Sequence, residues 1–100
     1  MTVAVIGFVR FPPENVQALL PDLKALVDAT RAHDGCITYD VAEDPFEPGV
    51  FRFSELWPDQ ASLSAHGQAP HIAPWRAACR KHGVIERRLE AFDVSNPRSL

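Results

Sequence analysis

Residues 2–11 alternate cleanly, with Val3, Val5, Gly7, Val9 and Phe11 on one face and Ala4, Ile6, Phe8 and Arg10 on the other. That period of two predicts a strand, and two largely apolar faces predict cover on both sides. Pro12-Pro13 ends it, and the period then changes. Val16, Leu19, Leu20, Leu23, Leu26, Val27 and Thr30 recur at helical spacing, opposite Gln17, Asp22, Lys24, Asp28 and Arg31. The stripe predicts an amphipathic helix whose first turn accommodates Pro13 or Glu14. Pro21 falls inside the stripe and marks either a kink or a later start, of which the kink is expected. Gly35 stops the helix.

Two more strands are expected, Cys36 to Glu43 and Val50 to Trp57, around the turn-rich Asp44-Pro45-Phe46-Glu47-Pro48-Gly49. Pro58-Asp59 opens a short helix through Ala65, and Gly67 and Pro70 interrupt it. A second helix starts near His71 and presents Ile72, Trp75, Ala78, Cys79 and His82 on one face, with Pro74 tolerated in its first turn. Gly83 ends it, and Val84 to Val94 reads as the last strand. Residues 1–94 therefore read as one domain and residues 95–100 as a loose tail. The order β-α-β-β-α-β is the ferredoxin-like split unit, an α+β fold with one antiparallel sheet covered by helices on one face. Strand one is apolar on both faces, and strand three carries Phe51, Phe53 and Trp57 together. Such a patch signals a partner or ligand, and a second sheet packed face to face would close a dimeric α/β barrel.

Composition narrows the classes. At 100 residues the chain is of single-domain length and gains core from a second copy. A hydrophobic share of 46% argues against disorder, while no apolar run approaches the roughly 18 residues of a membrane span. The first ten residues lack a basic leader and read as a strand rather than a signal peptide. The net charge of −3 is mild, and Arg80, Lys81, Arg87 and Arg88 are interleaved with Glu86 and Glu90. This is the pattern of a solvated surface, not of a nucleic-acid interface. Cys36 and Cys79 form no CxxC pair and read as small, buried apolar residues of a cytoplasmic protein.

The stretch from Asp34 to Trp75 carries a more specific signal. Gly35-Cys36-Ile37-Thr38-Tyr39 turns into a strand, Phe53-Ser54-Glu55-Leu56-Trp57 ends one, and His66 is followed by Pro70-His71. In that order these residues resemble the antibiotic biosynthesis monooxygenase family, a group of dimeric α/β barrels. The resemblance implies a homodimer and no cofactor. It also implies oxidation of a small quinol or phenol with dioxygen. Relatives on the same scaffold degrade haem, isomerise small sugar-derived molecules or have no known activity, so fold alone does not set function. The haem-degrading relatives use an asparagine early in strand one, and none occurs between Met1 and Phe11.

Glu55 shares a strand face with Phe51, Phe53 and Trp57, so its carboxylate is expected in an apolar interior. Burial would raise its pKa, and it stands either as a site acid or in a structural ion pair or hydrogen bond. His66 and His71 flank a helix break and either converge at a pocket mouth or serve as capping or core histidines. A neutral imidazole suits removal of a phenolic proton. Tyr39 offers a phenol. Phe51, Phe53, Trp57 and Trp75 offer apolar walls for a flat substrate or plain core. Glu55, His66 and His71 match no standard metal spacing, so no metal is expected. His33 and His82 read as surface or helix-end residues. Two other functions stay open: a small-carbonyl isomerase or lyase using the same base, and a non-catalytic dimeric ligand-binding or stress protein.

Overall fold

The computed structural model describes residues 1–100. Its elements are β1 (Thr2–Arg10), α1 (Val16–His33), β2 (Thr38–Glu43), β3 (Val50–Trp57), α2 (Gln60–His66), α3 (Ile72–Lys81) and β4 (Glu86–Val94). A 3-10 turn at Pro13–Asn15 leads into α1, and residues 95–100 carry no regular element. The strands form one antiparallel sheet in the order β2-β3-β1-β4, the ferredoxin-like arrangement expected from the order of elements.

Three boundaries differ from the sequence reading, each for a local reason. The second strand begins at Thr38 because Gly35, with φ of 72°, still has to turn the chain away from α1. The last strand begins at Glu86, because Val84 is used to close α3 through its N–H to the Cys79 carbonyl at 3.0 Å. Helix α1 starts at Val16 and continues through Pro21. The carbonyl that Pro21 cannot satisfy belongs to Gln17, which is exposed to water.

Register decides which face each strand residue uses. Val3, Val5, Gly7 and Val9 pair with Trp57, Glu55, Phe53 and Phe51, placing all of them on the helix-covered face. There they meet Leu19, Leu23, Leu26 and Ile72 in a single core. This corrects one expectation: Phe51, Phe53 and Trp57 need no second subunit, since the chain's own helices leave them 2%, 4% and 0% exposed. The face left without helices carries Ala4, Ile6 and Phe8 beside Leu56, Ser54 and Arg52, and beside Phe92, Glu90 and Arg88. Ile6 and Phe92 are 59% and 47% exposed there, so strand one is covered on only one side within the chain. Gly7 permits the β1–β4 pairing: at its φ of 157° an added Cβ would lie 1.9 Å from the Arg88 carbonyl oxygen.

Candidate functional site

The site is organised by a residue outside the sequence-derived set. Asp34 is the C-cap of α1, its N–H bonded to the Thr30 carbonyl at 3.1 Å. An acid at a helix C-terminus opposes the helix dipole. It is held there by two imidazoles: His66 Nδ1 and His71 Nε2 each lie 2.7 Å from the same Oδ2. His66 is the last residue of α2, whose start is fixed by Asp59 accepting from the Ser62 N–H at 2.8 Å. Between the histidines, the Ala69 N–H donates to the His66 carbonyl at 3.1 Å and the Ile72 N–H to the Ala69 carbonyl at 3.0 Å. These turns fold the Gly67–Pro70 break back on itself and bring both rings to one carboxylate.

The proton positions follow from donor and acceptor needs. A carboxylate only accepts, so each imidazole donates to it from the nitrogen in contact. In a neutral His66 ring the proton is thereby on Nδ1, which leaves Nε2 as the acceptor nitrogen. Its ring lies against Trp57, with centroids 4.8 Å apart at 37°, and meets Tyr39 edge-on at 5.3 Å. Glu55 is 5% exposed, and its Oε1 accepts the Trp57 Nε1–H at 2.8 Å. Burial pushes the Glu55 carboxyl above the ordinary range, while the Trp57 hydrogen bond, His66 and Arg87 oppose the rise. The Tyr39 phenol is pushed upward by burial, with Glu55 and Asp34 adding to the effect. An apolar, desolvated setting thus keeps both acids toward their neutral forms.

A cavity of about 580 Å³ opens between the helices and the sheet. Of the residues proposed from sequence, Tyr39, Phe53, Glu55, His66 and Trp75 line it. Phe51, Trp57 and His71 do not: Phe51 packs edge-on against Phe11 at 6.0 Å, Trp57 supports His66 and Glu55 from the core, and His71 reaches Asp34 from beyond the cavity wall. Among the other lining residues, Arg76, Cys79, Arg80 and Arg87 bring ionisable groups that were not anticipated there. Asp34 too had a signal in the sequence, an acid set just before the glycine that ends a helix. His82 lies at a helix end but is buried rather than on the surface, with Nε2 at 3.2 Å from Asp22 Oδ2. Cys36 and Cys79 are half-buried free thiols, and burial pushes both upward.

Asp34, His66 and His71 are also the residues that could hold a divalent ion, their ligand atoms lying within 4.8 Å of one another. The grouping differs from the one weighed in the sequence, with Asp34 in place of Glu55. Two ligands bonded tetrahedrally to zinc at about 2.1 Å sit roughly 3.4 Å apart. At 2.7 Å the present contacts have hydrogen-bond length, and an ion would have to part Asp34 from both rings.

Comparison with known proteins places this geometry in a family. A family model described as antibiotic biosynthesis monooxygenase matches residues 2–78. A Mycobacterium tuberculosis protein, Rv0793, named as a proposed monooxygenase, is 35% identical over 75 residues, covering 75% of this chain and 73% of its own. The solved structure of Rv0793 superposes with a TM-score of 0.82, covering 99% of this chain and 100% of the other at 28% identity. The uncharacterised Synechocystis protein sll1783 is 29% identical over 70 residues, and that match spans 70% of this chain but only 48% of the relative. A Deinococcus radiodurans structure described as a proposed antibiotic biosynthesis monooxygenase shares the fold, with a TM-score of 0.88 at 24% identity over 100% and 98% of the two chains. The chain belongs to the antibiotic biosynthesis monooxygenase family.

Proposed function

We propose that this protein oxidises a small phenol or quinol with dioxygen, using no flavin, haem or metal. One observation carries the proposal: His66, its Nδ1 bonded to Asp34, lines a small-molecule-sized cavity. His66 takes the hydroxyl proton, and Asp34 stabilises the imidazolium that results. The phenolate is a far better one-electron donor than the phenol and passes an electron to dioxygen. The phenoxyl radical and superoxide combine through a C–O bond at a ring carbon bearing hydrogen, para to the hydroxyl in a phenol and ortho to it in a quinol. As the O–O bond of that peroxide breaks, the C–H proton on the same carbon is lost. The His66 imidazolium returns its proton to the outer peroxide oxygen and then takes up the C–H proton. Glu55, held toward its protonated form, donates to the departing hydroxide to give water and is reprotonated from His66. Phenol and dioxygen thus give quinone and water, with all four electrons drawn from the substrate. Phe53, Trp75 and Tyr39 hold the ring and keep water from the radical pair.

The assembly we propose is a homodimer in the cytoplasm, with the second copy covering Ile6, Phe8 and Phe92 on the helix-free face of the sheet. Oxygen uptake on a panel of quinols and naphthols, without added flavin or metal, tests the reaction, with ¹⁸O₂ labelling of the product. Loss of about 10²-fold or more in His66→Ala is expected for a general base. The assignment fails if His66→Ala and Glu55→Gln match the unsubstituted protein on every active compound. Turnover that persists without oxygen would instead identify an isomerase or lyase using the same base.

A further inference from the structure

The cavity has two chemically different ends. His66, Glu55 and Tyr39 stand at one. At the other, Arg80 of α3 and Arg87 of β4 line the lip. Arg80 lies eight residues beyond Ile72, about 12 Å along the helix axis, and Ile72 is tied to His66 by the turns described above. Arg87 pairs with Val9, four residues from the Val5 that pairs with Glu55, or roughly 13 Å along the strand. Helix and strand spacing thus set the backbone of both arginines toward the end away from His66 and Glu55, although the Arg87 charge still reaches the Glu55 carboxyl.

Neither guanidinium is held in an ion pair, and both residues are exposed. Arg76, the third lining arginine, donates from Nη2 to the Gly67 carbonyl at 3.0 Å. Arg88, on the other face of β4, pairs with Glu86 at 3.6 Å. Arg80 and Arg87 make neither an ion pair nor a side-chain hydrogen bond, and Glu55 is the only acid in the lining. Glu55 is occupied by Trp57 at the far end. Two exposed guanidinium groups without ion-pair partners on the lining of a mostly hydrophobic cavity suit a carboxylate, since each offers a planar fork of donors.

We propose that the substrate carries a carboxylate at the end of its ring system opposite the hydroxyl that His66 deprotonates, and that Arg80 and Arg87 receive it. This rests on the reading of the cavity as the substrate site, and it adds orientation. A ligand clamped by its acid group presents its hydroxyl to Nε2, and a ring lacking that group enters in either direction.

The test is calorimetric and independent of turnover. A naphthol and the hydroxynaphthoate with its carboxylate at the opposite end of the rings are titrated into the full-length protein. We expect the carboxylate to bind at least about fivefold more tightly, with the preference shrinking as salt rises. In the Arg80→Gln/Arg87→Gln double variant the two affinities converge to within about twofold, whereas Arg80→Lys/Arg87→Lys and the outer-face control Arg88→Gln keep a preference. Measurable naphthol binding by the double variant certifies that it is folded. Equal affinities in the unsubstituted protein, an unchanged preference in the Gln double variant, or no binding of either compound would overturn the proposal. A preference that holds while no quinol is oxidised would leave it standing and remove the oxygenase reading instead.

Discussion

Replacing Asp34 with alanine tests the centre of the site. The substitution removes one oxygen that accepts from two imidazoles at 2.7 Å, with side-chain exposures of 7% for Asp34, 10% for His66 and 16% for His71. A buried hydrogen bond to a charged group contributes roughly 1.5–3 kcal/mol, and here both donors are orphaned at once. The two bonds share an acceptor and do not add fully, so the expected loss is about 3–5 kcal/mol. That is a large part of the 5–15 kcal/mol typical of a domain and corresponds to a melting point lower by roughly 15 °C or more. Asp34→Asn keeps an acceptor in place but loses the charge, so about half of that effect is expected. Urea midpoints and thermal melts at one fixed protein concentration measure both, since any self-association would otherwise shift the apparent stability. Imidazole ¹⁵N spectra supply the mechanistic readout: His66 is expected as Nδ1–H in the unsubstituted protein and as a tautomer mixture in Asp34→Ala. A stability loss below about 0.5 kcal/mol, or an unchanged tautomer, would refute the account of Asp34 as the anchor of both rings.

Other consequences are equally direct. Because burial raises the Glu55 pKa, its favourable contribution is complete below the unfolded value of 4.5 and is lost as pH rises through the folded value. Glu55→Gln should therefore match the unsubstituted protein in melting point near pH 4 and exceed it increasingly toward neutrality; a constant difference across that range would contradict this. The chain has one tyrosine, so absorbance at alkaline pH reports Tyr39 alone. With its pKa raised by burial, phenolate should form only as the protein unfolds, and stability should fall above the ordinary value of 10. Gly7→Ala should split the β1–β4 pairing at Arg88 and cost about 3 kcal/mol or more, read as loss of amide protection in both strands. Ile6→Lys on the helix-free face should leave the monomer fold intact by circular dichroism while sedimentation shows a smaller species.

Much of this protein is legible from periodicity alone. Period-two runs and the helical stripe beginning at Val16 mark the strands and helices because side-chain direction follows local geometry. The Gly35-to-Trp57 segment also identifies Tyr39, Phe53 and Glu55 as inward-facing, since alternate strand residues share a face. His66 and Trp75 both line the cavity, although helical spacing alone reads Trp75 as plain core. What local pattern does not contain is which face is covered. Phe51 and Trp57 read equally well as pocket wall, partner interface or core, and register against β1, together with the packing of the helices, makes them core. Asp34 lies 32 residues from His66 and 37 from His71, and no local spacing joins them. The same is true of Arg80 and Arg87, which read as a solvated charge cluster until α3 and β4 set them on one cavity lip. The sequence by itself therefore determined the elements, their order and the inward residues of each strand, all consequences of local stereochemistry. Only the tertiary structure decided which distant groups meet and which charges are left unpaired, because those depend on closure of the chain over long separations.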